Sequence, residues 1–138
     1  MNVDATNLVV GRLSTFAAKK ALSGEKVVIV NAERAVITGT KNAVLKKLVT
    51  KLNLSPKGNP HKGPKYSKMP DRILRRAVRG MLPCKRAAGK KAFRRVYVYI
   101  GIPEELGNEK FETIEIARNK SKNYMYLEDV SRALGARW

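Results

Sequence analysis

Residues Pro70 to Ile102, PDRILRRAVRGMLPCKRAAGKKAFRRVYVYIGI, constrain the fold more than any other stretch of the chain. At about 3.6 residues per turn, Arg72, Arg75, Arg76 and Arg79 share one narrow face of a helix over Pro70–Met81. Ile73, Leu74, Ala77, Val78 and Met81 cover the opposite face, and Pro70 suits the first helical position. After Pro83 a second basic cluster follows, on a short second helix: Lys85, Arg86, Lys90, Lys91, Arg94 and Arg95. Val96–Ile100, VYVYI, then reads as a buried strand ended by Gly101 and Pro103. Segment 70–95 is therefore a basic helix-turn-helix unit fastened to core elements.

A charged helix face is usually just solvated. That reading suits a face of mixed sign, where like charges are kept apart. It fits poorly here, because no acid is interspersed among the four arginines. A one-sign cluster is relieved by an external polyanion, and the planar fork of arginine matches phosphate oxygens.

The charge is also focused along the chain. Formal net charge over all 138 residues is +18. Residues 57–95 carry fourteen Lys/Arg against Asp71 alone, net +13. Residues 1–56 carry nine against three acids, net +6, and residues 103–138 carry six against seven, net −1. Such a distribution is the footprint expected of a nucleic-acid-binding protein. With 43% hydrophobic residues, the chain can also bury a core, and its length fits one domain spanning 1–138.

Around this centre, helices alternate with strands. Asn2–Ala5 reads as a short strand and Val9–Leu22 as a helix with Leu13, Phe16, Ala17 and Ala21 inward. Lys19, Lys20 and Lys26 gather at the end of that helix, either to complement its dipole or to touch RNA. Lys26–Val30, KVVIV, is a strand of the kind covered on both faces. Ala35–Thr38 is a further short strand. A helix from Thr40, its cap, to about Leu54 has Val44, Leu45, Leu48, Val49 and Leu52 on its apolar side. Pro103–Leu106 reads as a helical turn, Lys110–Ile116 alternates like a strand, and Tyr126–Leu134 reads as a short helix. The alternation predicts an α/β layered fold.

Ser55–Met69, SPKGNPHKGPKYSKM, is different material. Proline and glycine break regular structure, and Lys57, Lys62, Lys65 and Lys68 add unpaired charge. The alternatives are a disordered linker and a basic loop that orders on a polyanion; its place between two helices favours the loop. Tyr66 suits either packing or stacking on a base.

Several chemistries are excluded or poorly supported. No GxGxxG occurs, and Pro64 stands where a GxxxxGK[ST] loop needs lysine. One cysteine, Cys84, and one histidine, His61, complete no disulfide, zinc cluster or recognisable nucleophile–base pair. Asn119-Lys120-Ser121 matches a glycosylation acceptor by chance. No apolar run approaches the roughly 20 residues of a membrane helix, and the N-terminus lacks the form of a secretory signal. The expectation is a cytoplasmic protein without cofactor, metal or small-molecule substrate. A small nucleic-acid-processing enzyme and a DNA-binding protein are the rival classes.

Three blocks then carry a resemblance. VRGMLP at Val78–Pro83 with RAAGKKAFRRVYVYIG at Arg86–Gly101, DATNLVVGRL at Asp4–Leu13, and VVIVNAERAVITG at Val27–Gly39 resemble, in the same order, the L-thirteen family of large-ribosomal-subunit proteins. The basic insertion and the tail LEDVSRALGARW resemble the archaeal and eukaryotic branch. The resemblance implies a single three-layer α/β/α domain with a small, mainly parallel sheet of about four strands and a basic loop extension, 55–69. It implies a structural, non-catalytic role on large-subunit ribosomal RNA, early in assembly, beside neighbouring ribosomal proteins. By resemblance, Gly80, Met81 and Pro83 shape the turn, and Arg79, Lys85, Arg86, Lys90, Arg94 and Arg95 meet phosphates. With Lys57, Lys62, Lys65, Lys68, Arg72, Arg75, Arg76 and Lys91, these make up the expected RNA-binding set.

Overall fold

The computed structural model describes residues 1–107 and 109–138. In chain order, β1 (Asn2–Asp4), α1 (Val10–Leu22) and β2 (Val27–Val30) form the first unit. Next come β3 (Val36–Thr38), α2 (Lys41–Asn53), α3 (Pro70–Met81), α4 (Ala87–Arg94) and β4 (Val96–Val98). The chain closes with β5 (Tyr124–Tyr126) and α5 (Leu127–Ala133). The architecture is mixed α/β.

The strands divide into two sheets. β1, β2 and β4 pair in parallel in the order β1-β2-β4, with Val3 opposite Ile29 and Ile29 opposite Val98. β3 joins β5 instead, antiparallel, with Ile37 opposite Met125. The parallel sheet thus has three strands, not about four; the remaining two make their own ribbon.

β2 earns its continuous apolar sequence by its central place: all four of its residues are buried. VYVYI departs from the expectation of a buried strand. β4 lies at the sheet edge, and its side chains alternate: Val96 is buried, whereas Tyr97 is 40% exposed and Tyr99 37%. Lys110–Ile116 is not a strand either. It offers one bridge, Glu112 to Val3, and then turns through a 3-10 segment at Glu115–Ala117.

The principal core gathers Val3, Leu8, Leu13, Ala17, Val27 and Ile29 with Leu74, Val78, Ala92 and Val96. A smaller cluster of Val44, Met125, Val130 and Leu134 lies under α2. Of the five expected inward residues of α2, only Val44 is buried; Val49 is 41% exposed. Thr40 stands at the N-cap, but its side chain makes no capping hydrogen bond. α2 is thus held along a thin seam, whereas α3 packs closely on α1.

Candidate nucleic-acid interface

The apolar side of α3 decides where its arginines point. Leu74 and Val78 are fully buried, each burial worth about 1.5–3 kcal/mol relative to exposure. Met81, expected on the same side, is 43% exposed at the helix end. With one side anchored, Arg72, Arg75, Arg76 and Arg79 face outward and are exposed. Together with Lys65, Ser67 and Phe93 they line one open cleft of about 410 Å³.

Two aromatic rings organise this row. The Arg75 guanidinium carbon lies 4.9 Å from the Phe93 ring centroid. That of Arg76 lies 4.0 Å from the Tyr66 centroid, and Arg76 Nη1 donates to the Lys65 carbonyl at 3.0 Å. Stacking restrains a guanidinium through its face and leaves in-plane N–H donors for acceptors such as phosphate oxygens. The row is therefore partly ordered before any ligand arrives.

The second cluster is placed by a tight turn. Arg86 N–H donates to the Pro83 carbonyl at 2.9 Å, and the Cys84 thiol to the Arg79 carbonyl at 3.2 Å. α4 then lies so close to this turn that a Cβ on Gly89 would fall 2.2 Å from the Pro83 carbonyl oxygen. Lys85 and Arg86 are exposed on the turn, and Lys90, Lys91 and Arg94 on α4. Arg95 differs: it is half-buried, and its Nη1 donates to the Ala21 carbonyl at 3.4 Å, near the end of α1.

The 55–69 segment holds one 3-10 turn, Pro60–Lys62, with the Asn59 side chain accepting from the His61 N–H at 3.0 Å. Lys57 and Lys62 are exposed and lie outside the arginine cleft; Lys65 lines it. Lys68 is exposed at its side chain, while its carbonyl accepts from Ser131 Oγ at 2.8 Å. The end of the segment is thus pinned to α3 and α5.

Electrostatically, the cluster stands uncompensated. Among the described residues the ion pairs are Lys20–Glu25 and Glu128–Arg132, and neither touches residues 57–95. Asp71 sits in the first turn of α3, where a negative charge suits the helix dipole.

Phe93 was not among the expected site residues. The signal for it was a lone aromatic inside the basic run KKAFRR. A second, larger cleft, about 670 Å³, was missed as well. It shares no lining residue with the arginine cleft and is lined by Asp4, Asn7, Arg118, Lys120, Lys122 and Tyr124 among others.

A small α/β fold that anchors an unneutralised arginine row against its core has the layout of a polyanion-binding protein. Comparison with known proteins narrows the class. Residues 1–105 match the family model described as ribosomal protein L13. A protein of Archaeoglobus fulgidus named large ribosomal subunit protein uL13 is 45% identical, covering 98% of this chain and 87% of its own. Its namesakes in Methanococcoides burtonii and Picrophilus torridus are 46% and 44% identical, covering 99% and 96% of this chain and 98% and 95% of theirs. The chain belongs to the ribosomal protein L13 family, a structural and non-enzymatic family.

Proposed function

We infer that the protein is a structural constituent of the large ribosomal subunit, binding large-subunit rRNA and stabilising it during assembly. The observation that carries this reading is the arginine row of α3, four exposed guanidinium groups in one cleft with no carboxylate paired to them among the described residues. Contact runs through phosphate, ribose and shape, since the deep, narrow major groove of A-form RNA is poorly read by side chains. Arg72, Arg75, Arg76, Arg79 and Lys65 form the centre of the surface. Lys85, Arg86, Lys90, Lys91 and Arg94 extend it, Lys57, Lys62 and Lys68 flank it, and Arg95 contributes charge from its half-buried position.

The chain acts as a single domain, 1–138, with 55–69 as a basic extension that orders fully on RNA. Full burial of Val28 and Val30, on the sheet face opposite Val27 and Ile29, supports a third layer over the parallel sheet. Neighbouring ribosomal proteins are the remaining partners, and the cytoplasmic ribosome is the location. No helix among the described residues is long and apolar enough to cross a membrane.

Sedimentation of a cell lysate tests the reading: the protein should travel with large subunits and detach at high salt. Recovery only in the soluble fraction would reject it. Competition between rRNA fragments and duplex DNA separates the RNA reading from a DNA-binding one.

A further inference from the structure

We propose that the second cleft, between the Thr6–Asn7 turn and the Arg118–Tyr124 segment, is a further RNA site that takes one unpaired nucleotide. The base stacks on the tyrosines, and the phosphate lies on Lys120, Lys122 and Arg118. This rests on the ribosomal-RNA reading above and adds a site that shares no residue with the arginine cleft.

The cleft has room. Its volume, about 670 Å³, falls within the roughly 300–1,000 Å³ of small-ligand sites. Its chemistry is complete for a nucleotide. Arg118, Lys120 and Lys122 are exposed, and none belongs to an ion pair among the described residues. Tyr124 is 42% exposed and meets Tyr126 edge to face, with centroids 5.5 Å apart, so ring surface remains for a base. The Asn7 amide nitrogen and the Thr113 hydroxyl are the groups placed to read a base edge, since Asn7 Oδ1 and the Asn119 side chain are engaged within the cleft.

The cleft is also built rather than incidental. Asn119 N–H donates to the Asn7 carbonyl at 3.0 Å, tying the basic segment to the opposite wall. The Asn119 side chain accepts from Ser121 N–H at 2.9 Å, closing a turn that carries Lys120. Tyr126 donates its hydroxyl proton to Asn7 Oδ1 at 3.0 Å, and Asn7 itself holds the left-handed conformation, φ +58°. Asp4 Oδ1 accepts from Thr6 N–H, Thr6 Oγ1 and Asn31 Nδ2 at 3.0, 2.7 and 3.0 Å, which fixes the floor.

Asp4 repels a phosphate as it repels a peptide carboxylate, so an anion in this cleft lies on the side of Arg118, Lys120 and Lys122. The occupant is decided by the groups beside those cations. Cations alone would suit a peptide; cations beside tyrosines and side-chain amides suit an unstacked nucleotide.

The test uses the full chain and a short single-stranded probe, hexauridylate, followed by amide chemical shifts. The probe should shift residues 6–7 and 118–126. K120Q/K122Q/Y124A should weaken its binding by about tenfold or more while the variant stays folded at the temperature of measurement. K120Q/K122Q alone, which keeps β5 intact, should weaken it less but in the same direction. R75Q/R76Q/R79Q should leave the 118–126 shifts in place. If an rRNA fragment binds the chain while hexauridylate leaves 118–126 unmoved, the cleft proposal falls and the ribosomal reading stands. If polyglutamate moves these amides and hexauridylate does not, the site belongs to an acidic protein segment and the proposal is overturned. If neither RNA binds, both readings fall.

Discussion

The guanidinium of Arg76 lies 4.0 Å from the ring centroid of Tyr66, joining α3 to a segment that has almost no regular structure. The same side chain holds the Lys65 carbonyl. Removing the ring should therefore loosen the 55–69 segment before it affects the core. Tyr66→Ala is expected to cost about 0.5–1 kcal/mol of stability. Cleavage by a protease specific for lysine and arginine should accelerate at Lys62 and Lys65. Unchanged cleavage would show that Tyr66 does not hold the segment.

Arginines and core residues of α3 should separate cleanly on substitution. R75Q/R76Q/R79Q loses two ring contacts and should cost about 1–2 kcal/mol, since glutamine remains a fair helix former. Leu74→Asp places an unpaired carboxylate in a fully buried position and should cost about 3–5 kcal/mol or more, enough to unfold much of the protein. Thermal melting of the two variants side by side checks the ordering.

Gly89 should resist substitution even by alanine. Helix propensity alone favours alanine by about 0.8–1 kcal/mol. The added Cβ would meet the Pro83 carbonyl at 2.2 Å, so α4 or the turn must move, at a typical overpacking cost of about 1–3 kcal/mol. The melting temperature should fall. A rise would mean that α4 can slide away from the turn freely.

Acid should weaken the floor of the second cleft. Burial pushes the Asp4 carboxyl up, but donors from Thr6 and Asn31 and the charge of Arg34 outweigh it and hold the group below its ordinary 3.8. A folded value lowered in this way stabilises the protein above 3.8 and is lost as pH falls through the folded value. Asp4→Asn should be less stable than the parent at neutral pH, and its melting temperature should fall less steeply below about 3.8. Identical acid profiles would contradict this.

Binding to an rRNA fragment should depend steeply on salt. Each phosphate neutralised contributes roughly −0.7 to −0.9 to the log–log slope. The net charge of residues 57–95, which form no ion pair among the described residues, implies several such contacts. A slope near zero, measured by titration across salt concentrations, would remove the electrostatic account.

What the sequence made legible was local and periodic. Helix α3 is bounded at Pro70 and Met81, as its period and its proline indicate, because its buried and exposed sides alternate within a single element. β2 was legible because a central strand needs apolar residues on both faces. β5 was not: three residues, Tyr-Met-Tyr, carry too little pattern, and their partner lies far away at Val36–Thr38. Alternation at Lys110–Ile116 misled because a strand also needs a neighbour, and β1 accepts this stretch only at Glu112. VYVYI looked buried because its tyrosines are apolar by composition, yet edge placement leaves their faces open. The second cleft was hidden twice. Averaging residues 103–138 to a net −1 concealed Arg118, Lys120 and Lys122, and the opposite wall at Asn7 stands more than a hundred positions earlier, 119 from Tyr126.

The central claim is that the arginine face of α3 is the principal RNA contact surface. It is tested most directly by the affinity of R75Q/R76Q/R79Q for a folded large-subunit rRNA fragment, at one moderate salt concentration, beside the parent. Three charge-assisted contacts vanish, each worth about 1.5–3 kcal/mol when fully made. The account predicts affinity reduced by about a hundredfold or more while the variant remains folded at the temperature of measurement. Parental affinity in a folded variant would contradict it, and would mean that this face is merely solvated.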